Sequence, residues 1–237
     1  MKLLMVHGSR QSGELLRAKS QAMQKLIRQV LAPLQPGSVE FYYPTAPFAL
    51  EPSGPSSKLR DQHGQWAWWQ SEYIDGVYPG LETGLETLAA VIKDAGPFDG
   101  AIGFSQGAAI AAMVASLLEE NRRDAFPVSK MEGGFAYPAA FSTLSHPPLK
   151  FVISISGYSA THQAYCPFYH PQICTPMLHI LGSADTVVEE SASMKLVERC
   201  QGEEEGIAPL VVHHPETFRS QSTIRERFPP YQGETME

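Results

Sequence analysis

The stretch GPFDGAIGFSQGAAIAAMVAS, Gly96 to Ser116, decides how this chain folds. A Pro-Gly-bounded turn opens it. Phe98 to Phe104 then read as a short buried strand with small residues near its end. Gly103-Phe104-Ser105-Gln106-Gly107 follows, and after it an Ala-rich run without Pro or Gly extends past Ser116. The pattern is strand, sharp turn, helix. A serine flanked by glycines two residues away on each side suits a strained turn, because a side chain at either position would collide with the neighbouring strand or helix. The helix beginning at Gln106 aims its first backbone N–H groups and its positive dipole end at Ser105, where developing negative charge would be stabilised.

Working outward from this turn, the first strand, Lys2 to Val6, ends in His7-Gly8-Ser9-Arg10-Gln11-Ser12-Gly13. A helix from about Glu14 to Leu31 follows, with Leu15, Leu16, Met23, Leu26, Ile27 and Val30 at helical spacing. G-x-S-x-G between strand and helix is the nucleophile elbow of α/β-hydrolases, and a strand ending in His-Gly is where that fold places its second oxyanion donor. The candidate donors are the N–H groups of Ser9 and Gln106. His7 itself reads as a packing residue that closes the loop.

Val39 to Tyr43 is the second strand. From Phe48 to Tyr78 the chain is irregular and carries all three tryptophans, Trp66, Trp68 and Trp69, together with Tyr73. Such a loop either covers the site, with Trp66 and Trp69 as an apolar wall for an acyl chain, or plugs itself onto the core. Gly80 to Ala95 is an amphipathic helix. Asp124 to Pro148 reads as an insertion or surface loop, and Leu149 to Ile155 as a strand. The loop Thr161 to Thr175 holds His162 and His170 without metal-ligand spacing. Pro176 to Leu181 is a strand, and Gly182-Ser183-Ala184-Asp185 leaves its carboxyl end. This is the edge at which parallel sheets build their sites, so Asp185 is the candidate acid ahead of the helix Glu189 to Cys200. Leu210 to Val212 is the last strand and runs into His213-His214-Pro215.

The order Ser105, Asp185, His213 or His214 is that of nucleophile, acid and base in the α/β-hydrolases. Serine is a poor nucleophile until a histidine takes its proton, and the carboxylate fixes the imidazole tautomer. Such chemistry needs no cofactor or metal. The expected architecture is an α/β-hydrolase fold in a single domain over residues 1–237. It has a mostly parallel central sheet flanked by helices on both faces and a polar tail from about residue 219.

Bulk properties narrow the partners. The chain has 237 residues, 43% hydrophobic, with 25 acidic against 18 basic side chains and a net charge of −7. That balance argues against nucleic acid or an anionic membrane as the main partner. No apolar run reaches the roughly 18 residues of a membrane span. Three cysteines, Cys166, Cys174 and Cys200, make no metal motif, and MKLLMV reads as a strand rather than as a signal peptide with its cleavage region, so a cytoplasmic protein is the expectation.

LLMVHGSRQSG, GPFDGAIGFSQGAAIAA, KFVISISG, TPMLHILGSADTVV and VVHHP together resemble the FSH-type fungal serine hydrolases, relatives of the human ovarian-cancer-associated hydrolase. The resemblance implies a serine hydrolase acting on a small acyl ester or thioester. Several fungal members resemble thioesterases that release a chain from the acyl carrier domain of a polyketide synthase. Ser105 matches the family nucleophile and Asp185 its acid. The C-terminus departs from the family's His-Pro-Gly-Gly-His, with Phe218 where the second histidine stands. The base is therefore His214 or His213 after a local shift, or it is lost. Two further functions stay open beside the thioesterase: a general carboxylesterase on small esters, and a non-catalytic ligand-binding pseudo-hydrolase.

Overall fold

The computed structural model describes residues 1–33, 37–51, 64–70, 77–126, 134–182, 185–201 and 210–214. Among them run β1 (Lys2–Val6), α1 (Gly13–Lys19), α2 (Gln21–Leu31), β2 (Glu40–Tyr42), β3 (Phe48–Ala49), β4 (Trp66–Ala67), α3 (Leu81–Ala95), β5 (Gly100–Phe104), α4 (Gln106–Leu117), α5 (Ala139–Ser142), β6 (Phe151–Ile155), β7 (Met177–Gly182), α6 (Glu190–Val197) and β8 (Leu210–His214). Six strands form one sheet in the order β2-β1-β5-β6-β7-β8, and every pairing is parallel. β3 and β4 make a separate antiparallel pair.

Parallel strands buried on both faces read as continuous apolar runs. β1 shows why: Leu3 and Met5 pack with Ile102 and Ile155 on the face covered by Leu16 of α1 and by Met23, Ile27 and Leu31 of α2. Leu4 and Val6 pack on the other face with Ala101, Val152, Met177 and the apolar stripe of α3. α4 lies in the middle of that second layer, and all twelve of its residues are buried. A helix apolar all round belongs in the interior. Its alanines let it approach the sheet closely, and Gly100 leaves room for the Phe151 ring, which a Cβ there would meet at 2.7 Å.

The single helix expected over residues 14–31 is broken into two at Ser20. Its hydroxyl bonds the Tyr43 hydroxyl at 2.8 Å and accepts from Gln24 Nε2 at 3.3 Å. A side chain that competes for local hydrogen bonds is a poor helix-interior residue. At the far end of α4, Glu119 and Arg122 form a buried ion pair at 2.5 Å, with side chains 9% and 2% exposed. Glu119 Oε1 also accepts from the backbone N–H groups of Cys174 (2.7 Å) and Thr175 (2.8 Å), and Arg122 donates to the carbonyls of Pro171 and Gln172. This clamp ties the end of α4 to the segment leading into β7. No helix among the described residues is long and apolar enough to cross a membrane.

Candidate active site

Ser105 stands between the last residue of β5 and the first of α4, at φ 52°, ψ −121°. A non-glycine residue in that region is strained, and the surroundings must hold it there. They do so with hydrogen bonds: Ser105 N–H donates to Ile155 O at 2.8 Å, and its carbonyl accepts from Ala108 and Ala109 N–H at 2.9 and 3.1 Å. Both flanking glycines are sterically required. A Cβ on Gly103 would lie 2.5 Å from Ala108 Cα, and one on Gly107 would lie 2.2 Å from Val6 O and 2.3 Å from His7 O. The turn is therefore wedged between its own helix and the end of β1.

That close approach brings the His7–Ser9 loop beside Ser105. Val6 pairs in register with Gly103, so the chain leaves β1 level with the turn. Gly8 sits where a Cβ would touch the Phe104 ring at 2.9 Å and the Phe104 carbonyl at 3.1 Å. Ser9, the next residue, is exposed at this edge, while Ser105 is half-buried. Among the described residues neither Ser9 N–H nor Gln106 N–H has a hydrogen-bond partner. At the start of α4 such unpaired N–H groups are intrinsic to a helix, and they favour an anion.

The loop is braced from three sides. Arg10 N–H donates to Trp66 O at 2.9 Å, and Trp66 N–H to Gln11 O at 3.0 Å, so β4 pairs with the chain just past Ser9. Ser12 caps α1 by accepting from Leu15 N–H, and Gly13 N–H donates to Thr45 Oγ1, both at 3.1 Å. His7 is fully buried. Its Nε2 accepts from Ala46 N–H at 3.0 Å, so its Nδ1 carries the proton donated to Gly8 O at 2.7 Å. Burial pulls its pKa down to about 4, against which the Gly8 bond works only partly. His7 is thus a neutral structural imidazole.

The tryptophans divide. Trp68 and Trp69 are 0% and 2% exposed and belong to the core, Trp69 stacking on Tyr78 at 4.7 Å and meeting Tyr158 edge-on at 6.4 Å. Trp66, half-buried, sits on β4 against the loop after Ser9. The Gln106 side chain holds this region to the Ser105 turn: Oε1 accepts from Trp68 N–H at 2.9 Å, and Nε2 donates to Trp69 O at 3.3 Å. Trp68 Nε1–H in turn donates to His7 O at 2.8 Å. The sequence marked Gln106 for its backbone alone; its side-chain role and the place of Trp68 carry no local signature. Tyr73 lies outside the described residues.

Asp185 follows β7, and its Oδ1 accepts from Val187 N–H (2.9 Å) and Val188 N–H (3.1 Å). Its Oδ2 accepts no hydrogen bond among the described residues. The cap of α6 is instead Glu189. β8 carries the two histidines, His213 level with Leu181 and His214 level with Gly182. His213 Nδ1 pairs with Glu190 Oε1 at 3.3 Å, both side chains half-exposed. Among the described residues no contact joins His213 to Ser105 or Asp185. The side chain of His214, and Phe218 with the rest of the tail, lie outside the described residues. No cluster of metal-ligating side chains occurs among those described. None of the three cysteines is in a disulfide; Cys166 and Cys174 are exposed and Cys200 is buried, where loss of water pushes its thiol up to about 12.

A family model described as serine hydrolase (FSH1) matches residues 1–218. Dihydrofolate reductase of Schizosaccharomyces pombe is 32% identical over 212 residues, which are 85% of this chain and 41% of that one. Esterase OVCA2 of Danio rerio is 28% identical over 221 residues, 85% of each chain. The chain spans less than half the length of the two Schizosaccharomyces pombe relatives it matches, 41% and 44%. Among solved structures, SOBER1 of Arabidopsis thaliana superposes with a TM-score of 0.52 at 17% identity, over 90% of this chain and 88% of that one. At such identity the likeness establishes the fold, which is that of the α/β-hydrolases.

Proposed function

The chain belongs to the serine hydrolase (FSH1) family, and on that premise we propose that it is an esterase or thioesterase with Ser105 as nucleophile. The observation that carries this reading is Ser105 held at φ 52° between β5 and α4 with unpaired N–H groups beside it. Ser105 Oγ attacks the acyl carbonyl carbon while a histidine takes its proton. The N–H groups of Gln106 and Ser9 hold the oxyanion. The histidine then protonates the leaving alcohol or thiol, and water cleaves the acyl-enzyme by the same route in reverse. Asp185 orients the base through the carboxylate oxygen that the Val187–Val188 turn leaves over. We assign the base to His214, because His213 is engaged with Glu190 and His214 is level with Gly182, the residue from which the chain departs toward Asp185.

The substrate would be a small acyl ester or thioester, and Trp66, beside the Ser9 loop, is the aromatic best placed to meet its acyl part. Release of a polyketide from a synthase carrier domain is the finer form of the reading and rests on resemblance alone. A single cytoplasmic domain accords with the composition. A second reading, ligand binding without turnover, is favoured by the His213–Glu190 pair, which removes one of the two candidate bases.

Fluorophosphonate labelling tests the proposal. Wild type is expected to label, and Ser105→Ala and His214→Ala are expected not to, while His213→Ala labels normally. A folded wild-type protein that does not label would leave the binding reading standing. A preference for long-chain thioesters over short free esters would support the thioesterase form against the carboxylesterase.

A further inference from the structure

The peptide group between Gly8 and Ser9 is trans, so its C=O and N–H point in opposite directions. Whatever fixes the Gly8 carbonyl therefore fixes the Ser9 N–H. The Gly8 carbonyl accepts from His7 Nδ1 at 2.7 Å. The imidazole cannot present its other tautomer there, because Nε2 is occupied as acceptor for Ala46 N–H at 3.0 Å. Nor can it turn: the ring is fully buried and faces the Trp68 indole at 5.1 Å, the indole N–H is bonded to the His7 carbonyl, and Gly107 closes on that carbonyl from the α4 side.

We propose that His7 is a positioning residue of the oxyanion site: its Nδ1–H holds the Gly8 carbonyl toward the interior and so turns the Ser9 N–H outward, at the edge where Ser105 stands. This inference rests on the hydrolase reading above and adds a residue to it. Trp68 is the hub of the same device. Its indole N–H holds the His7 carbonyl and its backbone N–H holds the Gln106 side chain, so one buried residue is bonded both to the chain just before Ser9 and to the side chain of Gln106. Without His7 the peptide is free to rotate, and a donor pointing elsewhere is lost to the transition state while substrate binding is kept.

The test separates the two bonds of the ring. In His7→Asn the side-chain amide donates from about the place of Nδ1 and can reach Gly8 O, but it no longer accepts from Ala46. In His7→Gln the side-chain oxygen replaces Nε2 as acceptor, but no donor faces Gly8 O. Both variants lose core packing and some stability. With an ester substrate, His7→Gln is expected to lose on the order of 10²-fold in kcat at nearly unchanged KM, as for loss of one oxyanion donor. His7→Asn is expected to stay within a few-fold of wild type. Equal losses in the two variants, or a loss in KM alone, would overturn the positioning role and leave His7 a core residue. Imidazole ¹⁵N NMR gives a readout independent of turnover: His7 is expected as the Nδ1–H tautomer, and an Nε2–H tautomer in an active protein would sink this inference alone. A wild-type protein that shows the Nδ1–H tautomer but does not label at Ser105 would sink the hydrolase reading and the positioning role with it.

Discussion

Gln106 Oε1 accepts the backbone N–H of Trp68 at 2.9 Å, so the residue next to Ser105 fastens the tryptophan segment to the turn. Both groups are buried, and removing the side chain leaves the Trp68 N–H without a partner. Gln106→Ala is expected to cost about 1–3 kcal/mol, the usual penalty for an orphaned buried donor. It should also slow fluorophosphonate labelling, since the same tie braces His7 through Trp68. Urea unfolding and labelling rates measure the two effects, and an unchanged midpoint would show that the bond contributes nothing net.

The Asp185 carboxylate has one oxygen on the Val187–Val188 turn. Asn at this position can keep that turn with its amide oxygen but offers an N–H where the proposed base needs an acceptor. Asp185→Asn is expected to fold with wild-type stability and to label at least about 10²-fold more slowly, in the direction of carboxylate-to-amide changes in other triads. Glu190→Gln breaks only the exposed contact with His213, and its labelling rate should match wild type. The reverse pattern would make Glu190 the acid.

Arg122 is 3% exposed and rests on Glu119. Glu119→Ala leaves its guanidinium buried with only carbonyl acceptors, and it also strips the acceptor from Cys174 and Thr175 N–H. A loss of about 3–5 kcal/mol is expected, enough to unfold many domains at moderate temperature. A thermal midpoint within a degree or two of wild type would contradict the account of the clamp.

His7 and His179 are both buried, and loss of hydration pulls each pKa from 6.5 to about 4. Unfolded, each takes a proton near pH 6.5; folded, it does so only near 4. Between those values the unfolded chain binds more protons, so stability is full above pH 6.5 and falls as the pH drops toward 4, by up to a few kcal/mol in all. Unfolding midpoints at pH 7.5, 6 and 5 should decline in that order, and equal midpoints would mean these rings are protonated in the fold.

Thiol accessibility gives a simple check of the packing. Cys166 and Cys174 are exposed, and Cys200 is buried with its thiol pushed up to about 12. Two thiols should react promptly with a disulfide reagent in the native protein, and the third only on unfolding. Three fast thiols would contradict the burial of Cys200 against Met177 and His179 of β7.

The fold was legible because its signals are local. The apolar runs of β1, β5 and β6 needed only neighbouring residues to be read, and so did the G-x-S-x-G turn, whose glycines are demanded by backbone contacts a few residues away or on the adjacent strand. Ser105, and Asp185 at the carboxyl end of β7, follow from strand order. What tertiary structure decided is contact between segments far apart in the chain. Trp69 could line a site or plug the core, and only its stacking on Tyr78 beneath Tyr158 buries it. Ser20 broke a helix whose periodicity ran through it, because Tyr43 offers its hydroxyl a partner. His7 carries no local mark of its tautomer; Ala46, 39 positions on, sets it by donating to Nε2. Periodicity records which face a side chain takes, whereas a hydrogen bond across the sheet depends on where two distant backbones meet.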